Sequence, residues 1–162
     1  MGQKETVCQY LEDHGIPFEL VEHPPVYTIE EMEQYSVTDQ GDVVKNLFLR
    51  DYKGKKHFLV CLQKDKKADL KNIREQLEST PLSFASEERL MKYLGLTKGA
   101  VTPFGILNDE NREVTVVFDK DLTSSERLGV HPNDNTATVF LSFASLKKLI
   151  EEHGNPLIFA DI

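Results

Sequence analysis

Three short stretches hold residues whose types and spacing could do chemistry. The first is GDVVKNLFLRD (Gly41 to Asp51), an apolar run broken by Lys45 and Asn46. With the period of two of a strand, Val43, Lys45, Leu47 and Leu49 share one face. Desolvating an ammonium is costly, so such a lysine has two readings. It either snorkels its charge to water from a strand edge, or it sits at the mouth of a pocket and offers one positive charge to a phosphate or carboxylate. In the second reading Asn46 fixes a neighbouring polar group. The second stretch is KGAVTPFG (Lys98 to Gly105), small residues bounded by glycine and proline. Such a loop is either an ordinary connection or a place where backbone N–H groups come close to a ligand oxygen. The third is VHPNDNTAT (Val130 to Thr138), where Asn-Asp-Asn is turn chemistry and His131 precedes a proline.

Other chemistries lack their signatures. There is no GxxxxGK[ST] phosphate loop, no GxGxxG fingerprint, no HExxH, no paired CxxC and no GxSxG. Neither a metal nor a cofactor is expected. Two cysteines, Cys8 and Cys61, form no disulfide framework, and Cys61 within FLVCL reads as core. The net charge of −8 argues against affinity built on broad phosphate neutralisation, and so against a DNA-binding protein, while leaving room for contact with a few phosphates. The basic runs Arg50 to His57 and Lys64 to Lys67 read as solvated hairpin and loop charges. No apolar run approaches the length of a membrane span, and the opening MGQKETVCQYLED is amphipathic and acidic, so a cytoplasmic location is expected.

The elements that must position these residues follow from periodicity. Gln3 to His14 reads as a helix stopped by Gly15, and Ile16 to His23 alternates like a strand. Thr28 with Glu31 forms a capping box for a short helix. The Lys45 stretch pairs with HFLVCLQ (His57 to Gln63) as a hairpin, with DYKGKK as the turn. Asp69 to Leu77 repeats a helical pattern, LSFAS is a short strand, and Ser86 caps EERLMKYLG. Val114 to Asp119 is a strand, a turn and strand follow Gly129, and SFASLKKLIEEHG is a last helix. No repeat or linker divides the chain, so one domain over residues 1–162 is expected. The mixture gives an α+β fold, a mixed β-sheet or partial barrel surrounded by short helices.

VVKNLFLRD, KGAVTPFGILND and GVHPNDNTATV, in this order and spacing, together resemble the YbaK/prolyl-tRNA-synthetase-associated editing domain family. The similarity runs over nearly the whole chain, and HPNDNTAT favours the branch of free-standing prolyl-tRNA editing proteins. The resemblance implies a hydrolase that deacylates mischarged tRNA(Pro), alanyl-tRNA(Pro) above cysteinyl-tRNA(Pro), with a non-catalytic tRNA- or synthetase-binding module as the rival. It implies that Lys45 is the essential lysine, holding the backbone phosphate beside the terminal adenosine, with Asn46 as its polar neighbour. Gly99 and Pro103 match the family's GxxxP loop, which includes Ala100 and whose amides would hold the aminoacyl group. His131 matches the histidine that lines the substrate site, and Thr28 borders the amino-acid pocket. The implied partners are the acceptor end of tRNA(Pro) and, for selecting it, prolyl-tRNA synthetase or an elongation factor.

Overall fold

The computed structural model describes residues 2–35 and 40–162. In chain order its elements are α1 (Gln3–Asp13), β1 (Glu19–Glu22), α2 (Ile29–Gln34), β2 (Asp42–Arg50), β3 (His57–Gln63), α3 (Leu70–Leu77), β4 (Ser83–Phe84), α4 (Glu87–Leu94), β5 (Val114–Asp119), β6 (Leu128–Val130), β7 (Ala137–Leu141), α5 (Phe143–His153) and β8 (Leu157–Ala160). A 3-10 turn over Pro103–Asn108 precedes β5. The strands form one mixed sheet in the order β1-β7-β6-β2-β3-β5-β8, with β4 added against β2. This is the α+β architecture expected from the sequence.

Local chemistry sets the element ends. The β2–β3 hairpin runs from Arg50 opposite His57 to Val44 opposite Gln63. Its turn is held by Asp51, whose carboxylate accepts the N–H groups of Lys55 and Lys56. Thr28, Asp69 and Ser86 each cap the helix that follows by accepting backbone N–H bonds. Helix α4 stops at Gly95, whose φ of +65° favours glycine.

Strand β3 is buried on both faces, which is why FLVCL shows no alternation. Leu59 and Cys61 join the main core with Val7 and Leu11 of α1, Leu94 of α4 and Leu149 of α5. Phe58, Val60 and Leu62 face the other way, toward Ile73 of α3 and Val117 of β5. A third cluster, Val26, Met32, Val43 and Phe140, seats α2 on the sheet.

The structure departs from the sequence reading at its short strands. Leu157–Ala160 forms β8, parallel to β5, where periodicity gave no element. Leu128–Val130 forms β6 between β2 and β7, where only a turn and one strand were expected. Segments of three or four residues carry too little pattern to reveal a strand, and their conformation comes from the partners they pair with. The first strand is likewise confined to Glu19–Glu22.

The topology opens one edge of β2. In a strand, alternate residues direct their backbone groups to the same edge. Asp42 N–H binds Arg127 C=O, and Phe48 C=O receives the N–H of Ala85, so β6 and β4 lie on the same edge, opposite β3. Strand β6 pairs there with Asp42 and Val43, and β4 with Leu49 and Arg50. Between them, centred on Asn46, that edge has no strand partner among the described residues.

A buried histidine at the far end of the hairpin yields a test of the packing. His57 is only 1% exposed, stacks on Phe48, packs against the tilted ring of Tyr93, and lies 2.9 Å from an Arg89 guanidinium nitrogen. Arginine can only donate, so the imidazole Nε2 accepts and the ring stays neutral. Burial first, and then the charge of Arg89, lower its pKa to about 4. Below the ordinary histidine value of 6.5 the unfolded chain therefore binds a proton that the folded one refuses, so stability falls as pH drops toward 4. Relative to a His57→Gln variant, urea unfolding of the wild type should lose about 2 kcal/mol between pH 7 and pH 5. Parallel pH profiles for the two proteins would contradict the buried, neutral assignment.

Candidate functional site

A cavity of about 190 Å³ sits at the open edge of β2. Thr28, Lys45, Asn46, Gly99 and His131 all line it, so five residues singled out in the sequence, from four separate segments, converge on one space. Ala100 and Pro103 do not line it. Both are buried, with Ala100 N–H bound to Thr97 C=O and Pro103 opening the 3-10 turn. The loop presents Gly99 and Val101 to the cavity instead.

Lys45 is half-buried, and its Nζ donates to the carbonyl of Lys66 at 3.0 Å. Lys66 is itself clamped. Its ammonium binds Asp119 at 2.6 Å, Asp121 and the carbonyl of Ile162. The hydrogen bonds that Lys66 donates to Asp119 and then to Asp121 raise its pKa. Asp119 is 1% exposed, so this ion pair fixes the loop after β3 from inside the protein. The loop in turn presents the carbonyl that holds Lys45.

Asn46 projects from the neighbouring position of β2. Its Nδ2 lies 3.4 Å from Val44 C=O, and its Oδ1 is buried with no partner among the described residues. A buried acceptor without a donor costs roughly 1–3 kcal/mol and invites a ligand N–H or O–H.

The remaining walls are held by capping and turn chemistry. Thr28 Oγ1 accepts Glu31 N–H at 3.1 Å, and Glu31 reaches back to Tyr27 N–H. Gly99 has φ +94°, and a Cβ there would stand 2.6 Å from Cδ1 of Tyr27, so only glycine lets the loop approach that ring. The Asn133-Asp134-Asn135 turn does more than reverse the chain. Asp134 accepts the N–H and hydroxyl of Thr136, while Asn135 bonds both ways to Val26 and locks the segment before α2 in place.

His131 Nδ1 lies 2.9 Å from the carbonyl of Ala137, which can only accept. The proton therefore sits on Nδ1, and Nε2 is left as an acceptor. Burial lowers the pKa of this imidazole, so it is neutral near pH 7. His23 stands 6.2 Å away, ring to ring, and bonds Thr138. Sequence reasoning did not single out His23, Lys66 or the apolar walls Val26, Ile29, Met32, Val44 and Val101. Met32 and Val26 fit helical and turn patterns that look like ordinary core. Lys66 lies in a basic run that reads as solvated.

Among the described residues no group of histidine, cysteine and carboxylate side chains is arranged to hold a metal. None of the helices described is long and apolar enough to cross a membrane. A larger cavity of about 650 Å³ lies between α1 and the turn after His131; of the three stretches singled out from the sequence it touches only Asn133, and none of the candidate site residues lines it.

Residues 23–149 match the family model of the aminoacyl-tRNA editing domain. The "Prolyl-tRNA editing protein ProX" of Acetoanaerobium sticklandii is 55% identical over 155 residues, covering 96% of this chain and 94% of that protein. The "Prolyl-tRNA synthetase associated domain-containing protein 1" of Danio rerio is 36% identical, covering 92% of this chain and 82% of that protein. A crystal structure of a candidate trans-editing enzyme for prolyl-tRNA synthetase shares the fold, with a TM-score of 0.74 at 23% identity over 99% of this chain and 96% of that one. The family model spans most of the chain, and every strand of the site falls within or beside the matched region: the chain belongs to the aminoacyl-tRNA editing domain family.

Proposed function

We propose that this protein is a trans-editing deacylase that removes wrongly attached amino acids from tRNA(Pro), alanine foremost. The observation that carries the reading is the 190 Å³ cavity in which Lys45, Asn46, Gly99 and His131 meet. Membership of the editing family and the 55% identical ProX protein supply the class of substrate.

The chemistry required is hydrolysis of an ester. The oxygen of a water attacks the aminoacyl carbonyl carbon, the carbon–ribose oxygen bond breaks, and that ribose oxygen takes up the proton. Free amino acid and tRNA result. Lys45, held by Lys66 C=O, supplies one fixed positive charge for a backbone phosphate. The buried Asn46 Oδ1 and the His131 Nε2 are acceptors suited to the α-ammonium group. The carbonyl oxygen, as it gains charge, faces the Gly99–Val101 backbone. Among the described residues no side chain at the cavity is an activated nucleophile, so the neighbouring ribose hydroxyl of the substrate orients the water. Catalysis then rests on positioning and electrostatics.

Alanine is smaller than proline, and a synthetase pocket that admits proline cannot exclude it by size. One methylene is worth only about 1–3 kcal/mol, so a second and smaller sieve is needed. Val26, Ile29, Met32, Val44 and Val101 make such a sieve here.

Lys45→Ala should lower kcat/KM for alanyl-tRNA(Pro) by about a hundredfold or more, the cost of removing a charge-assisted anchor, while melting temperature is retained. Unchanged turnover would remove Lys45 from the mechanism. In a panel of alanyl-, cysteinyl-, seryl- and prolyl-tRNA(Pro), alanyl-tRNA should be hydrolysed fastest and prolyl-tRNA slowest. A cysteinyl preference would move the substrate assignment, and binding without hydrolysis of any member would leave a tRNA-binding module. Met32→Ala, which widens the buried wall, should narrow the alanyl-to-prolyl preference severalfold; an unchanged ratio would show that Met32 is not part of the sieve.

A further inference from the structure

A cavity of about 190 Å³ has room for a small aminoacyl group but not also for the nucleoside that bears it, since pockets for drug-sized ligands run to roughly 300–1,000 Å³. The base must lie elsewhere, and it must lie close, because ester and base hang on the same ribose. A second cavity, of about 510 Å³, adjoins the first along the open edge of β2, and Asn46 and Val101 border both. We propose that this second cavity is the slot for the terminal adenine, with Phe84 as its stacking platform. The proposal rests on the deacylase reading and extends it to the part of the substrate that cannot enter the small cavity.

Phe84 carries the argument. It is 63% exposed on the two-residue strand β4, a large aromatic surface left in water where the fold does not need it. β4 is held by its pairing to Leu49 and Arg50 and by the Ala85 N–H bond to Phe48 C=O, so the ring is displayed from a fixed backbone. Phe48 and Leu90, both buried, give the slot an apolar floor. The charged residues on it are Lys98 and Glu87, both exposed. A carboxylate at this position disfavours a phosphate inside the slot and can accept from an exocyclic amine, whereas Lys98 suits a phosphate outside. An aromatic face beside an apolar floor is how proteins take unpaired bases, and the nucleotide that carries the amino acid in tRNA is an adenosine.

The chain contains no tryptophan, so a Phe84→Trp variant carries a single indole whose emission reports on stacking. Titration with adenosine 5′-monophosphate should quench it saturably, and ribose 5-phosphate, the same sugar and phosphate without the base, should not. Phe84→Ala, at an exposed position, should keep the fold and raise KM for alanyl-tRNA(Pro) about tenfold with kcat held, and Phe84→Trp should restore it. Equal quenching by both ligands, or an unchanged KM in Phe84→Ala, overturns the slot. The two readings fail separately. Base-dependent quenching without hydrolysis of any aminoacyl-tRNA leaves the slot and removes the deacylase, while full hydrolysis with a silent Phe84→Ala does the reverse.

Discussion

The site depends on an interrupted ladder. Strand β2 gives one edge wholly to β3 and divides the other between β6 at its start and β4 at its end. A continuous partner on that second edge would close the sheet over Asn46 and leave no space. Because the two short strands stop before they meet, the sheet parts at the point where Lys45 and Asn46 project. The loop carrying Gly99 and the turn carrying His131 then complete the walls from either side of the gap. The shortness of β4 and β6 is therefore what leaves room for the cavity.

The second dependence is electrostatic. A protein of net charge −8 gains little from its overall field when it meets a polyanion. What it can do is fix a few charges well. The chain of contacts from buried Asp119 to Lys66, and from the Lys66 carbonyl to Lys45, does this over two steps. An acidic pair holds one lysine in place so that its backbone can orient another.

Much of this was legible in the sequence, and the limits have physical causes. Lys45 stood out because an ammonium in an aliphatic run needs a reason, and Gly99 because small residues next to proline mark a close approach. Thr28 and Glu31 declared their capping box. The strands β6 and β8 were not visible, since three or four residues carry no readable period. The inward turn of Ala100 and Pro103 was hidden as well, because a loop motif does not say which of its residues face a ligand. Lys66 was read as a solvated charge, for its partners Asp119 and Asp121 are distant in sequence. The exposure of Phe84 beside the second cavity has no signal in the sequence, because it comes from where the two-residue β4 pairs.

The most direct test of the account is to observe where an uncleavable substrate end binds. In a crystal structure with 3′-alanylamino-3′-deoxyadenosine, whose amide replaces the ester, the alanyl group should lie between Thr28, Asn46 and His131, its carbonyl toward Gly99 and Val101. The adenine should lie against Phe84. An alanyl group found elsewhere, such as the larger cavity beside Gln3, Tyr10 and Asn133, would contradict the central claim that the split edge of β2 is the editing site.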